Sequence, residues 1–296
     1  MPSGILLLDK PRGLSSNAAL QRVRALFDRE KAGHVGSLDP LATGMLPICL
    51  GEATKVAGEI LAGRKCYRFT VSLGARTTTG DAEGEVSERA GVPPLERAHI
   101  ETVLDRFVGA GEQIPPMYSA LKRAGQPLYR LARAGVTVER AARAIEVSWL
   151  RLLALDPQRL TLEVLCSKGT YVRVLAEDVA AGLGTLGHVS MLRREYVEPF
   201  EGERMQTLES LTGMRARGEE PVLFPVDRPL GHLPAVYLEP EQVRRACQGQ
   251  ALTVAGAPLG ARVRLYGEEG FLGLGATDAA GVVHPRRLLL GPDDRA

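Results

Sequence analysis

The sequence has few cysteines, and no two of them form a CxxC pair. The four in the 296-residue chain lie far apart, at Cys49, Cys66, Cys166 and Cys247. A structural zinc site is usually built from closely spaced cysteine and histidine ligands, and disulfide-stabilised folds are short chains dense in cysteine. We therefore expect reduced, mostly buried thiols and no metal site.

The sequence also lacks a long hydrophobic run. No stretch approaches the roughly 20 apolar residues that are needed to span a bilayer. The apolar run at residues 5–8 is too short for the core of a signal peptide, and the charged Asp9 and Lys10 follow it directly. These absences favour a cytoplasmic protein that does not associate with a membrane.

An excess of charge of one sign is missing as well. The formal net charge is +2 and the isoelectric point is near 8.4, which alone does not identify a nucleic-acid-binding protein. Hydrophobic residues make up 45% of the chain and charged residues 24%, values that are typical of globular proteins. Any interaction with a polyanion must therefore depend on local charge.

One segment has a strong local excess of positive charge. Residues 117–143 contain a single acid, Glu139, and six basic residues: Lys122, Arg123, Arg130, Arg133, Arg140 and Arg143. Proline and glycine interrupt the beginning of this segment, which indicates an exposed excursion from the core at residues 115–143. The positive charge either binds RNA or forms a solvated helical face, and composition alone does not decide between them.

The hydrophobic pattern predicts a mixture of helices and strands. Helical spacing predicts amphipathic helices at about residues 17–28 and from about residue 172, after Gly169 and Thr170. Residues 66–73 alternate between apolar and polar, as in a strand that is buried on one face. Because strands and helices do not alternate regularly, we predict an α+β fold with a mixed, largely antiparallel sheet.

A change in pattern near residue 230 suggests two domains. Prolines cluster at residues 225–234, and beyond them lie one short helix and several short strands separated by glycine. We predict one domain at residues 1–230, which includes the basic excursion, and a small β-rich domain at residues 231–296.

A loop rich in glycine surrounds the dipeptide Asp39-Pro40. Proline restricts Asp39 to extended conformations, while Gly33, Gly36 and Gly44 permit sharp turns and the close approach of another backbone. Such a loop can hold one carboxylate in a fixed direction. An isolated Asp-Pro more often only starts a turn.

The wider sequence resembles a known family. The run GHVGSLDPLATGMLPICLGEATK at residues 33–55 closely resembles the signature of the TruB family of tRNA pseudouridine 55 synthases. The resemblance extends to LDKPRGLSS near the N-terminus and to three later stretches, which follow in the family's order: KCYRFTVSLGARTTTGDAEG at residues 65–84, PPMYSALKRAG at 115–125 and CSKGTYVRVLAEDVA at 166–180.

The resemblance implies the pseudouridine synthase fold, with the family's catalytic aspartate at Asp39. It places the family's arginine at Arg173, where a guanidinium can keep a carboxylate ionised, and its tyrosine at Tyr67, where a ring can stack on a flipped base or relay a proton. From the residues alone, Arg173 would rather pair with Glu177 at the surface, and an inward Tyr67 would rather be plain core.

The same resemblance implies an RNA substrate. It predicts isomerisation of uridine 55 in the T loop of tRNA, a PUA-like RNA-binding C-terminal domain, and RNA contact by His34, which could otherwise cap a turn. We assign phosphate contacts to Lys122, Arg123, Arg130 and Arg133. Isomerisation neither gains nor loses atoms or electrons, so no cofactor or metal is implied.

Two other functions stay open at this stage. The chain could be a non-catalytic module that binds or folds tRNA, or a synthase that depends on a guide RNA and partner proteins. The basic excursion favours recognition of the T arm without an obligatory protein partner, because a guided enzyme delegates the choice of target to base pairing.

Overall fold

The computed structural model describes residues 3–27, 31–123 and 125–289, and its largest element is a twisted eight-stranded sheet. The strands run in the order β1-β3-β12-β4-β11-β10-β7, and β2 also pairs with β3. They are β1 (Gly4–Lys10), β2 (Ala32–His34), β3 (Thr43–Leu50), β4 (Lys65–Leu73), β7 (Gly109–Gln113), β10 (Arg143–Asp156), β11 (Arg159–Cys166) and β12 (Gly187–Val197). The pairing of β3 with β12 is parallel and the other pairings are antiparallel, which confirms the predicted α+β class.

Two small hairpins lie outside this sheet, and helices pack on both of its faces. The hairpins are β5 (Ala75–Thr77) with β6 (Val86–Arg89), and β8 (Lys122–Arg123) with β9 (Gln126–Pro127). The helices are α1 (Ser16–Leu26), α2 (Ala57–Ala62), α3 (Arg97–Asp105), α4 (Leu128–Arg133), α5 (Val172–Gly182), α6 (Leu208–Arg217) and α7 (Pro240–Cys247), with 3₁₀ turns at Gly51–Val56 and Arg228–Leu230. None of these helices is long and apolar enough to cross a membrane.

Local chemistry explains where the predicted helices begin. Ser15 caps α1, because its Oγ accepts a hydrogen bond from the Ala18 amide at 3.1 Å. The helix ends at Leu26, and the predicted end at residue 28 lies outside the described residues. Helix α5 begins one residue after Tyr171, close to the predicted start.

The main core lies between the sheet and the helices. Phe69 and Val71 of β4 are fully buried, and so are Ala176 and Val179 of α5 in the same cluster. Burial of such side chains stabilises the fold by about 1.5–3 kcal/mol each for the larger ones. This packing fixes the beginning of α5 beside the beginning of β4, and the loop between β2 and β3 lies next to both.

The residues after the Arg228–Leu230 turn form a second, five-stranded sheet of order β13-β15-β16-β17-β14. Its strands are β13 (Ala235–Tyr237), β14 (Leu252–Thr253), β15 (Arg262–Gly267), β16 (Gly270–Thr277) and β17 (Val282–Leu288). They enclose a core of their own with α7. The end of the predicted domain, residues 290–296, lies outside the described residues.

Apolar and ionic contacts join this second sheet to the first domain. Leu274 packs into a buried cluster with Ile5 and Leu7 of β1. Arg262 forms an ion pair with Glu59 of α2, with 2.7 Å between Nη2 and Oε1. The C-terminal residues therefore support α2, which ends close to the site described below.

We expect a chain that ends at Leu230 to keep its turnover at saturating RNA but to bind RNA more weakly and to melt at a lower temperature. The basic excursion and the site lie before the cut, whereas the cut uncovers the apolar surface around Leu7. Thermal melting and kinetics at increasing RNA concentration measure these effects. The full-length variant Arg262→Ala, which loses only the ion pair with Glu59, is the control. Loss of turnover at saturating RNA would contradict separable domains.

Candidate active site

Hydrogen bonds from the N-terminal segment hold the loop that carries Asp39. The buried Ser16 hydroxyl accepts from the Leu38 amide at 2.7 Å and donates to the Leu38 carbonyl at 3.0 Å. The Gly13 amide donates to the Pro40 carbonyl at 2.7 Å. Lys10, which is fully buried, donates from Nζ to the carbonyls of Pro11 and Leu14 and so keeps this segment in place. The backbone on both sides of Asp39 is therefore fixed.

Glycine is required at the start of β3, where the chain leaves this loop. Gly44 has φ of +97°, and a Cβ placed there would lie 2.2 Å from the carbonyl oxygen of Arg194 on β12. The expected close approach of another backbone therefore occurs at Gly44.

Arg173 joins Asp39 to two other segments. Its side chain is 5% exposed, and its Nε lies 2.9 Å from Asp39 Oδ2. Nη1 donates to the Thr79 carbonyl at 2.7 Å, and Nη2 donates to the Tyr118 carbonyl at 2.6 Å. The structure thus places Arg173 against Asp39, and the alternative of a surface ion pair with Glu177 does not apply.

A second carboxylate, which the sequence analysis missed, lies beside Arg173. Asp81 is 3% exposed, and its Oδ2 is 3.9 Å from Arg173 Nε. Its Oδ1 accepts hydrogen bonds from Thr79 Oγ1 at 2.6 Å and from the Glu83 amide at 3.0 Å. Asp81 therefore both shapes the 78–84 turn and balances the buried guanidinium. Asp81 lies in TGDAEG, the end of the 65–84 stretch that resembles the family, and that resemblance could have indicated it.

The protonation of Asp39 depends on opposing effects. Its side chain is 38% exposed. The partial burial of this side chain raises the pKa of the Asp39 carboxyl above its ordinary value, and the negative charge of Asp81 acts in the same direction. The charges of Arg173 and Lys10 oppose this rise. Asp39 is thus a carboxylate that depends on its cations to stay ionised.

Tyr67 lies opposite a buried arginine. Arg194 is its register partner on β12, is 1% exposed, and donates to the carbonyls of Met45 at 2.6 Å and Gly36 at 2.8 Å. Burial raises the pKa of the Tyr67 phenol, while the charge and hydrogen bond of Arg194 oppose the rise. The phenol is therefore neutral near pH 7. Arg194 was missed by the sequence analysis, because nothing in its local pattern distinguishes it from other strand arginines.

Asp39, Tyr67, Arg173 and Arg194 line a cavity of about 450 Å³. Asp39 is the one acid among its described lining residues, whereas Lys65, Lys168, Arg173 and Arg194 are cations. Leu38, Leu192 and Tyr171 supply apolar walls. Lys65 is buried, donates from Nζ to the carbonyls of Leu61 and Gly63, and has its pKa lowered by burial to about 8. The cavity is therefore electropositive around one carboxylate.

The residues predicted to contact RNA lie outside the cavity lining. His34 is half-buried on β2, where burial and the charge of Arg194 lower its pKa. Four of the six basic residues of the excursion, those predicted to contact phosphates, are exposed on the β8–β9 hairpin and α4: Lys122, Arg123, Arg130 and Arg133. Two of them have partners within the excursion, since Arg123 donates to the Glu139 carbonyl at 2.7 Å and the Arg133 guanidinium lies 5.8 Å from the Tyr129 ring centroid.

The described residues include no cluster of three or more His, Cys, Asp and Glu side chains that could hold a metal ion. Burial raises the pKa of the thiols of Cys49 and Cys66 to about 12 and that of Cys166 to about 11. These three cysteines are therefore neutral thiols near pH 7.

We expect Arg173→Lys to lower the single-turnover rate at least 100-fold. In the pH profile of that rate, the fall on the acidic side (the acid limb) should move to higher pH. A rate that needs ionised Asp39 falls as the pH decreases through the raised pKa of that carboxyl. A lysine keeps one charge but cannot reach Asp39, Thr79 and Tyr118 together, so the pKa of Asp39 rises further. The measurement is a pH profile of the single-turnover rate. Glu177→Gln, which leaves the Asp39 pair intact, is the control, and an unmoved acid limb in Arg173→Lys would contradict this role.

Three family descriptions match consecutive parts of the chain. Residues 24–172 match "TruB family pseudouridylate synthase (N terminal domain)", residues 173–231 match "tRNA pseudouridylate synthase B C-terminal domain", and residues 234–289 match "Pseudouridine synthase II TruB, C-terminal". The matches extend over both sheets described above.

Curated proteins that share one name are similar to this chain along nearly their whole length. The chain is 50% identical over 288 residues to tRNA pseudouridine synthase B of Chromohalobacter salexigens, covering 97% of this chain and 94% of that protein. It is 48% identical over 292 residues to the protein of the same name from Pseudomonas aeruginosa, covering 97% and 96%. A chain in the crystal structure of a Cbf5-Nop10-Gar1 complex has the same fold, with a TM-score of 0.73 and 24% identity over 98% of this chain and 86% of that one. The chain therefore belongs to the TruB family of pseudouridylate synthases, which are isomerases.

Proposed function

We propose that this chain converts uridine 55 in the T loop of tRNA into pseudouridine, with Asp39 as the catalytic carboxylate. The observation that carries the proposal is the pairing of Asp39 with the buried Arg173 at the wall of an electropositive cavity. The relatives named tRNA pseudouridine synthase B support tRNA as the substrate.

The chemistry requires a negative charge at the reacting nucleoside. The bond between uracil N1 and the ribose breaks, the base turns, a bond forms between C5 and the ribose, a proton leaves C5, and N1 takes up a proton. An ionised carboxylate can act as a nucleophile or stabilise positive charge when a glycosidic bond opens. In the cavity, Asp39 is the acid placed to do this, and Arg173 keeps it charged.

The target base must leave the RNA stack to reach Asp39. The cavity volume of about 450 Å³ lies within the usual range for small-molecule sites. Tyr67 contributes an aromatic ring to its wall, on which a flipped uracil can stack. Because burial keeps its phenol neutral, Tyr67 serves as a stacking platform, and it can relay a proton only by releasing its own as it takes one up.

The exposed basic excursion suits binding of the T arm. Four of its six cations lie in residues 122–133, and the cavity wall at Ser119, Ala120 and Leu121 comes directly before them in the chain. Phosphates held by the excursion would thus lie close to the entrance. This arrangement supports recognition without a guide RNA or a protein partner, and the purified chain alone should therefore modify tRNA.

We expect Asp39→Asn to reduce pseudouridine formation below detection, because the amide keeps the shape of the side chain but has no charge. The tRNA affinity should change by no more than about 1 to 2 kcal/mol, since the stacking surface and the cations remain. Single-turnover conversion of a T-loop transcript and a binding titration measure the two quantities.

A thermal melt is the control for Asp39→Asn. The pKa of Asp39 is raised in the folded state, so its ionisation lowers the free energy of unfolding as the pH rises above the unfolded value. The loss of the ion pair with Arg173 opposes the gain from removing this charge, so the Asn variant should melt cooperatively and close to the wild-type temperature at pH 7. Substantial turnover by this variant would show that Asp39 only forms the turn before Pro40.

We also expect Lys122→Ala and Arg130→Ala each to reduce the slope of log K against log salt for tRNA binding by about 0.7 to 0.9, because each loses one phosphate contact. Arg97→Ala, on α3 and paired with Glu101 at 3.2 Å, is the matched control. An unchanged slope and affinity in the excursion variants would favour a solvated face.

A further inference from the structure

One polar group in the cavity wall has no role in the chemistry above. Ser119, in the PPMYSALKRAG stretch, lines the cavity and is 5% exposed. Its Oγ is buried and has no hydrogen-bond partner among the described residues. An interaction with the Ser119 hydroxyl opposes the burial that raises the pKa of the Tyr171 phenol. A buried hydroxyl without a hydrogen-bond partner destabilises the fold.

The backbone around Ser119 is held on three sides. The Tyr118 carbonyl, one residue earlier, accepts from Arg173 Nη2 at 2.6 Å. The Ser119 amide donates to the Met117 carbonyl at 2.9 Å, and the Ser119 carbonyl accepts from the Tyr129 amide at 3.1 Å. Ser119 is thus attached to the arginine that pairs with Asp39 and to the helix that carries Arg130 and Arg133. A hydroxyl fixed in this way is preorganised for a ligand.

Resting on the function proposed above, we propose that the Ser119 hydroxyl hydrogen-bonds a carbonyl oxygen of the flipped uracil. A buried uracil must find partners for O2, N3–H and O4, because unpaired polar groups in a closed site are costly. Leu38, Leu192 and the aromatic rings cannot supply them. Ser119 and Thr170 both carry buried hydroxyls in the lining that have no hydrogen-bond partner of ordinary geometry among the described residues, and Ser119 is the one whose neighbour Tyr118 is bound to Arg173.

A hydroxyl that binds a carbonyl oxygen of uracil can keep this contact throughout the isomerisation. Rotation of uracil about the axis through N3 and C6 exchanges N1 with C5, which is the required change. The same rotation exchanges O2 with O4 and leaves N3–H in place. A donor that binds one carbonyl before the rotation therefore finds the other carbonyl in the same place afterwards. Ser119 can hold substrate and product alike while the glycosidic bond changes.

Ser119→Ala tests this role. We expect kcat/KM for a T-arm RNA to fall about tenfold, the effect of losing one neutral hydrogen bond. The variant should melt at or above the wild-type temperature, because an unpaired buried hydroxyl is removed. A purely structural serine would behave in the opposite way, with a lower melting temperature and little change in rate at permissive temperature. Ser87→Ala, at an exposed position on β6, is the matched control.

RNAs with 2-thiouridine or 4-thiouridine at the target position identify the partner atom, since sulfur accepts hydrogen bonds poorly. For at least one of these two RNAs, the ratio of wild-type to Ser119→Ala activity should decrease towards one, because the sulfur has already removed the hydrogen bond that the alanine variant lacks. An unchanged rate in Ser119→Ala, or the same ratio for all three RNAs, would overturn the proposal. If the alanine variant folds poorly, Ser119→Cys, which keeps the volume with a weak donor, undergoes the same comparison. Conversion of the uridine RNA by the wild type tests the proposed function separately.

Discussion

The guanidinium of Arg173 holds the site together. Its three nitrogens reach Asp39, the Thr79 carbonyl and the Tyr118 carbonyl, which belong to three segments far apart in the chain. A planar fork can make these contacts at once, whereas an ammonium group cannot. A buried arginine without such partners would strongly destabilise the fold, so the charge that orients Asp39 also requires the three segments to meet.

The site contains several ionisable groups, and burial disfavours the charged form of each. The pKa of Asp39 is raised, and burial lowers the pKa of both Lys10 and Lys65 to about 8. Each shift means that the charged group is less stable in the fold than in the unfolded chain. The apolar packing of the main core, between β4 and α5, offsets this cost and lies immediately behind the cavity.

Much of the fold follows from local pattern, and the site follows only in part. Period-two alternation predicted β4, helical spacing predicted α5, and the resemblance predicted that Asp39 and Arg173 belong together. Arg194 and Ser16 were not found, because their partners are set by strand register and loop packing between distant parts of the chain. No local period encodes such pairings. The roles of Tyr67, His34 and the basic excursion stay predictions, since they concern an RNA that is bound by surfaces rather than a contact within the chain.

Lys65 connects the cavity to the proton balance of RNA binding. With a pKa of about 8, its ammonium group is partly deprotonated in mildly alkaline buffer. A polyanion bound at the entrance of the cavity favours the charged form and so raises that pKa. Binding near pH 8 therefore takes up protons from solution, and the affinity decreases as the pH rises through this range. The lysine that caps the end of α2 thus makes RNA capture sensitive to alkaline conditions, independently of Asp39, the proposed catalytic carboxylate.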